Sequence, residues 1–96
     1  MEGYLYIYIL QSEKDGKNYA GHTKDLNLRF EQHQKGEVKS TKYRRPLKLI
    51  YFEACLNQED SIRREKYFKT HYGKMFIKKR LINWYKQLCS KCISQG

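Results

Sequence analysis

Ninety-six residues, 40% of them apolar, set the scale of one domain with a core of modest size. Twenty Lys and Arg stand against ten Asp and Glu, a formal net charge of +10 that points to a polyanionic partner, nucleic acid before membrane. No apolar run approaches the length of a membrane-spanning helix. The stretch Tyr4 to Leu10 is too short, too rich in tyrosine and too close to Glu2 for a signal peptide, so a cytoplasmic protein is expected. Three cysteines exclude a disulfide framework. Cys55 falls in an apolar run and reads as a small buried hydrophobe, while Cys89 and Cys92 form a lone C-x-x-C without the further ligands a zinc site needs.

In chain order, Tyr4 to Ser12 (YLYIYILQS) reads as a strand covered on both sides. Tyr4, Tyr6, Tyr8 and Leu10 share one face, and Leu5, Ile7 and Ile9 share the other. Asp15-Gly16 signals a hairpin, with Tyr19 to Thr23 returning antiparallel. The register, and so whether Tyr8 and Tyr19 share a face, stays open at this level. Asp25 or Thr23 caps a helix carrying Leu26, Phe30 and His33 on one stripe, and Gly36 ends it. Arg29 and His33, four apart, project from one side of that helix, which Tyr19 precedes through a turn at Gly21.

The segment Glu37 to Lys48 holds Lys39, Lys42, Arg44, Arg45 and Lys48, interleaved with Ser40, Thr41 and Tyr43 and closed by Pro46. Cations and hydroxyls in that mixture suit a sugar–phosphate backbone. Leu47 to Cys55 is a third strand, and Asn57 opens a helix with Asp60 placed as in a capping box. This helix ends near Gly73 and carries Glu65, an acid among Arg63, Arg64, Lys66 and Lys69 that taken alone reads as a surface ion-pair partner. From Lys74 a last helix shows an apolar stripe of Ile77, Leu81, Trp84 and Leu88, with Lys78, Lys79, Arg80 and Lys86 on its other faces. Trp84 reads as core on that spacing. The expected fold is α/β, a small three-stranded, mostly antiparallel sheet flanked by helices in the order β-β-α-β-α-α. Residues 1–88 form the domain and 89–96 a short tail.

Tyr6-Ile7-Tyr8 followed by Tyr19-Ala20-Gly21 resembles the paired signature of the GIY-YIG nuclease domain. Arg29 and His33 on the first helix and Glu65 in SIRREKYFKT follow in that family's order, and the resemblance extends from Tyr4 to about Leu81, as in short stand-alone members. Two signature positions differ, Tyr6 in place of glycine and Ala20 in place of isoleucine, and neither supplies a reacting group. His22 stands where some relatives have lysine.

The resemblance implies a metal-dependent endonuclease hydrolysing phosphodiester bonds in nucleic acid, DNA favoured over RNA, in a setting such as DNA repair. Glu65 would ligate one Mg²⁺ or Mn²⁺ ion, and Arg29 would clamp a phosphate oxygen. Tyr8, or alternatively Tyr19, would activate water, helped by nearby cations that lower its pKa. His33 would accept the tyrosine proton or position the water. Lys39, Lys42, Arg44, Arg45, Lys69 and Lys78 are the expected nucleic-acid contacts. No membrane and no obligatory protein partner is expected. The competing expectations are a non-catalytic nucleic-acid-binding module on the same fold, and a protein whose basic surface meets an acidic partner.

Overall fold

The computed structural model describes residues 3–95, with side chains described as far as residue 88. The cysteine pair Cys89 and Cys92 lies outside the described side chains. Two compact units divide the chain, one running to Lys66 and the other starting at Tyr67.

The first unit holds an antiparallel sheet of β1 (Leu5–Ser12), β2 (Asn18–Thr23) and β3 (Leu47–Cys55), in the order β2-β1-β3. β1 is central because it alone is apolar on both faces: Ile7, Tyr8, Ile9 and Leu10 are all buried. In the β1–β2 register Tyr8 pairs with Gly21 and Leu10 with Tyr19, so Tyr8 and Tyr19 share a face. That face is covered by α1 (Leu26–Gln34), with Leu26 and Phe30 packed against Tyr8, Leu10 and Leu47. Of the two expected caps Asp25 is the one used, and Thr23 orders the turn before it. Asp25 Oδ1 accepts the Leu28 N–H, and Thr23 Oγ1 accepts the N–H of Asp25. At the other end Gly36 adopts φ +79°, the left-handed turn for which glycine is suited.

α2 (Gln58–Phe68) begins after Asn57, whose Oδ1 accepts the N–H groups of Glu59 and Asp60. Arg64 clamps Glu53 of β3 through two bonds of 2.8 and 2.9 Å. Glu53 pairs with Ile7 in the register, so this clamp lies on the sheet face opposite α1. Cys55 is half-buried rather than buried, its Sγ 3.6 Å from the carbonyl of Asn57.

The second unit differs from the sequence expectation. Its helices are α3 (His71–Arg80) and α4 (Ile82–Gln95), divided at Leu81, where a single helix from Lys74 was expected. α2 ends at Phe68, and Thr70 caps α3 by accepting the Gly73 N–H. Gly73 therefore does not end a helix. It sits in the first turn of α3, where a Cβ would collide with the carbonyl of Tyr67. Close approach of two backbones, and not a positive φ, selects glycine there. Leu81 ends α3 with its N–H on the carbonyl of Ile77, which splits the stripe read from Ile77 to Leu88. Trp84 is half-buried. Among the described residues no helix is long and apolar enough to cross a membrane.

Candidate functional site

The site is assembled around the exposed edge strand, β2. Tyr8 projects from central β1 over Gly21, where a Cβ would overlap the phenol ring and its hydroxyl. Glycine is required there so that Tyr8 can carry its oxygen to the edge of the sheet. The expected result for Gly21→Ala is a ring pushed off its partners and a loss of about 1–3 kcal/mol from overpacking. Thermal unfolding measures the second effect, and the ring contacts of Tyr8 in NMR measure the first.

Tyr8 Oη lies 2.9 Å from His33 Nε2, and both side chains are almost fully excluded from solvent. His33 Nδ1 lies 2.7 Å from Thr41 Oγ1, which is also buried. Tyr19 closes the cluster, its ring 5.3 Å from the imidazole centroid and 6.4 Å from that of Tyr8. Arg29, one turn before His33 on α1, stands near the Tyr8 hydroxyl, where its charge favours the ionised phenol, and donates to Gln32 Oε1 at 3.0 Å. The helix thus brings the expected pair to one place, with Arg29 towards the phenol oxygen and His33 beneath it.

Glu65 arrives from the opposite side of the sheet. Alternation along β2 puts Tyr19 and Gly21 on the Tyr8 face and Ala20 and His22 on the other. His22 Nδ1 meets Glu65 Oε1 at 2.9 Å, with the carboxylate only 15% exposed. The negative charge of Glu65 is nevertheless felt at Tyr8. The candidate site therefore wraps around the edge of the sheet at Gly21-His22, a phenol on one side and a carboxylate on the other.

The electrostatics correct one expectation. Burial raises the Tyr8 pKa above the ordinary phenol value, with Tyr19 and Glu65 adding to the rise, and Arg29 offsets only part of it. The phenol is thus neutral at pH 7, not ionised by surrounding cations. Burial, reinforced by the Arg29 charge, lowers the His33 pKa to about 4, so its imidazole is neutral as well.

The basic loop holds two arginines with partners inside the fold. Arg44 donates to the Asn18 carbonyl at 3.5 Å, and Arg45 to the carbonyls of Lys42 and Gln34 at 3.0 and 3.3 Å. Both guanidiniums brace the loop. Thr41, expected among hydroxyls facing a sugar–phosphate backbone, points inward to His33. Lys39 and Lys42 are exposed, with Lys42 Nζ 5.5 Å from the centroid of the Tyr43 ring. Lys69 and Lys78 are exposed in the second unit. Sequence reasoning missed two partners, Thr41 and the His22 bond to Glu65. Strand alternation could have set His22 opposite Tyr8, whereas an irregular loop offered no periodic signal for Thr41.

Among the described residues no three His, Cys, Asp or Glu side chains gather as a multi-ligand metal site. This donor set does not suit zinc. It fits a hard divalent ion that keeps most of its shell as water and phosphate oxygen, for which the Glu65 carboxylate is a sufficient protein ligand.

The chain is similar to known proteins along most of its length. A family model described as the GIY-YIG catalytic domain matches residues 4–91. A UPF0213 protein of Pediococcus pentosaceus is 44% identical over 83 residues, covering 82% of this chain and 86% of the relative. A UPF0213 protein of Staphylococcus aureus is 39% identical over 67 residues, covering 69% and 80%. The solution NMR structure of a UPF0213 protein from Bacillus halodurans superposes with a TM-score of 0.52 at 30% identity, covering 81% of this chain and 85% of that one. The signature read from Tyr6 to Gly21, the match over nearly the whole chain and relatives of similar length lead to one conclusion: the chain belongs to the GIY-YIG family.

Proposed function

We propose that the protein is an endonuclease that hydrolyses phosphodiester bonds in nucleic acid, DNA in preference to RNA, in the cytoplasm. The observation that carries this reading is the buried Tyr8–His33 hydrogen bond, with the Arg29 charge acting on the same phenol. Packing alone calls for one hydrogen-bond partner at a buried phenol, and the Arg29 charge beside that bond is more than packing needs.

Tyr8 is the group that meets the attacking water. Its oxygen takes a proton from water as its own proton passes to His33 Nε2. The water oxygen bonds to phosphorus, the bond to the leaving sugar oxygen breaks, and that oxygen takes a proton from solvent. An imidazole with a pKa of about 4 is a weak acceptor in the free protein. A bound phosphate brings negative charge to the cluster, which raises the proton affinity of His33 when it is needed. Arg29 carries five N–H donors, more than Gln32 occupies, and its planar fork suits a non-bridging phosphate oxygen. Glu65 would hold one Mg²⁺ or Mn²⁺ ion, with His22 fixing the carboxylate. The chemistry such an ion supplies is neutralisation of charge at the scissile phosphate and the leaving oxygen. Lys39 and Lys42 contribute charge for the backbone of the substrate, and Lys69 and Lys78 do the same from the second unit.

The test is cleavage of labelled single-stranded, duplex and branched DNA and RNA with Mg²⁺, Mn²⁺ or EDTA, with binding measured in parallel at several salt concentrations. Cutting that stops in EDTA, alongside binding that weakens steeply with salt, is the expected result. Tight, salt-sensitive binding with no cutting of any substrate would replace this reading by a non-catalytic binding module.

A further inference from the structure

Thr41 is a fully buried polar residue that touches the Tyr8–His33 pair yet has no part in the reaction described above, and its position is expensive to arrange. It lies on an irregular loop, yet five ties hold that loop in place. The Thr41 N–H reaches the Val38 carbonyl at 3.1 Å, and the Thr41 carbonyl accepts from Arg44 N–H at 2.9 Å. Ser12 Oγ donates to the Arg44 carbonyl at 2.6 Å, Arg44 reaches Asn18, and Arg45 bridges Lys42 to Gln34. These bonds press Thr41 Oγ1 to 2.7 Å from His33 Nδ1.

We infer that Thr41 is the positioning residue that fixes the tautomer of His33, holding the proton on Nδ1 so that Nε2 is left as the acceptor for the Tyr8 proton. The direction follows from the proton transfer proposed above. The Arg29 guanidinium beside the phenol can only donate, so of these two neighbours of the Tyr8 oxygen only His33 Nε2 can take its proton. A transfer from Tyr8 to His33 requires that Nε2 be bare. A neutral imidazole carries one N–H, which is therefore on Nδ1 and donates to Thr41 Oγ1. The buried run of donation is Tyr8 to His33 to Thr41. Reversed, with the proton on Nε2, His33 would donate to Tyr8 and could not take its proton. The loop is thereby assigned a part in the reaction: its arginines hold the hydroxyl that orients the histidine.

This inference rests on the nuclease reading, in which Nε2 receives the Tyr8 proton, and the test separates the failure of one from the failure of the other. The full-length protein, ¹⁵N-labelled and without substrate, is examined by NMR for which ring nitrogen of His33 bears the proton. The expected result is Nδ1–H in the native protein and in Thr41→Ser, and a shift to Nε2–H in Thr41→Val, where Nδ1–H has lost its acceptor. In cleavage, Thr41→Val is expected to lower kcat by about tenfold to a hundredfold with little change in KM, and Thr41→Ser to restore it. Nε2–H in the native protein overturns the inference, even if Thr41→Val fails to fold. An unchanged tautomer in a folded Thr41→Val overturns it too. The expected tautomers in a protein that cuts no substrate would leave Thr41 assigned and remove the nuclease reading.

Discussion

Glu65→Gln is expected to abolish cleavage, lowering the rate by about a thousandfold, the equivalent of about 4 kcal/mol of transition-state stabilisation. The substitution is chosen for what it preserves. A glutamine is the same length, and its carbonyl oxygen can still accept a hydrogen bond from the His22 ring, which now stands 2.9 Å from the carboxylate. The Arg64–Glu53 clamp that ties α2 to β3 is untouched. What disappears is the formal charge that would hold a hard cation, and a neutral amide oxygen does not replace it. Binding should survive, because affinity for nucleic acid comes chiefly from cations facing phosphates. The measurement is single-turnover cleavage and equilibrium binding of the two proteins on the same substrate. A rate within tenfold of the native protein would remove Glu65 from the reaction and return it to the surface ion-pair role that the sequence also allowed.

That Tyr8, Arg29 and His33 come together was legible because these three residues lie on regular elements. Strand alternation put Tyr8 on a defined face, and a spacing of four put Arg29 and His33 on one side of a helix. A hairpin signal at Asp15-Gly16 and a glycine at position 36 gave the boundaries that bring these elements together, and Gly16 and Gly36 both adopt positive φ. The charge state of Tyr8 was not legible. Neighbouring cations argued for a lowered pKa, and one such cation is present in Arg29, but burial outweighs it. Burial is a property of the assembled sheet and helix, and no local pattern carries it.

The inward turn of Thr41 and the helix break in the second unit were not legible, for different reasons. In the cationic run Arg44 and Arg45 each donate to backbone carbonyls with part of their guanidinium, and Thr41 turns inward. Irregular backbone has no period from which to read such directions. Gly73 was taken as a helix end because glycine commonly serves there. It marks instead the close passage of the start of α3 against the end of α2, a contact between segments that only the folded chain displays.

The second large effect is on stability in acid. His33 is neutral in the folded protein with a pKa of about 4, against 6.5 for an unperturbed imidazole. The unfolded chain therefore binds the proton more readily, and stability falls as pH drops from about 6.5 towards 4, where the folded protein begins to bind the same proton. The shift corresponds to about 3 kcal/mol, fully present above pH 6.5 and lost across that window. The cause is geometric: the ring is enclosed by Tyr8, Tyr19 and Thr41, with the Arg29 charge beside it, and no carboxylate is bonded to it to favour the imidazolium. Other groups titrate in the same range, so the control is His33→Gln, whose amide can meet both Tyr8 and Thr41 but does not titrate. Urea unfolding from pH 7.5 to 4 should show the native protein losing about 3 kcal/mol more than His33→Gln. Parallel stability curves would mean that the imidazole charges in place, which a ring sealed between a neutral phenol and a guanidinium should not do.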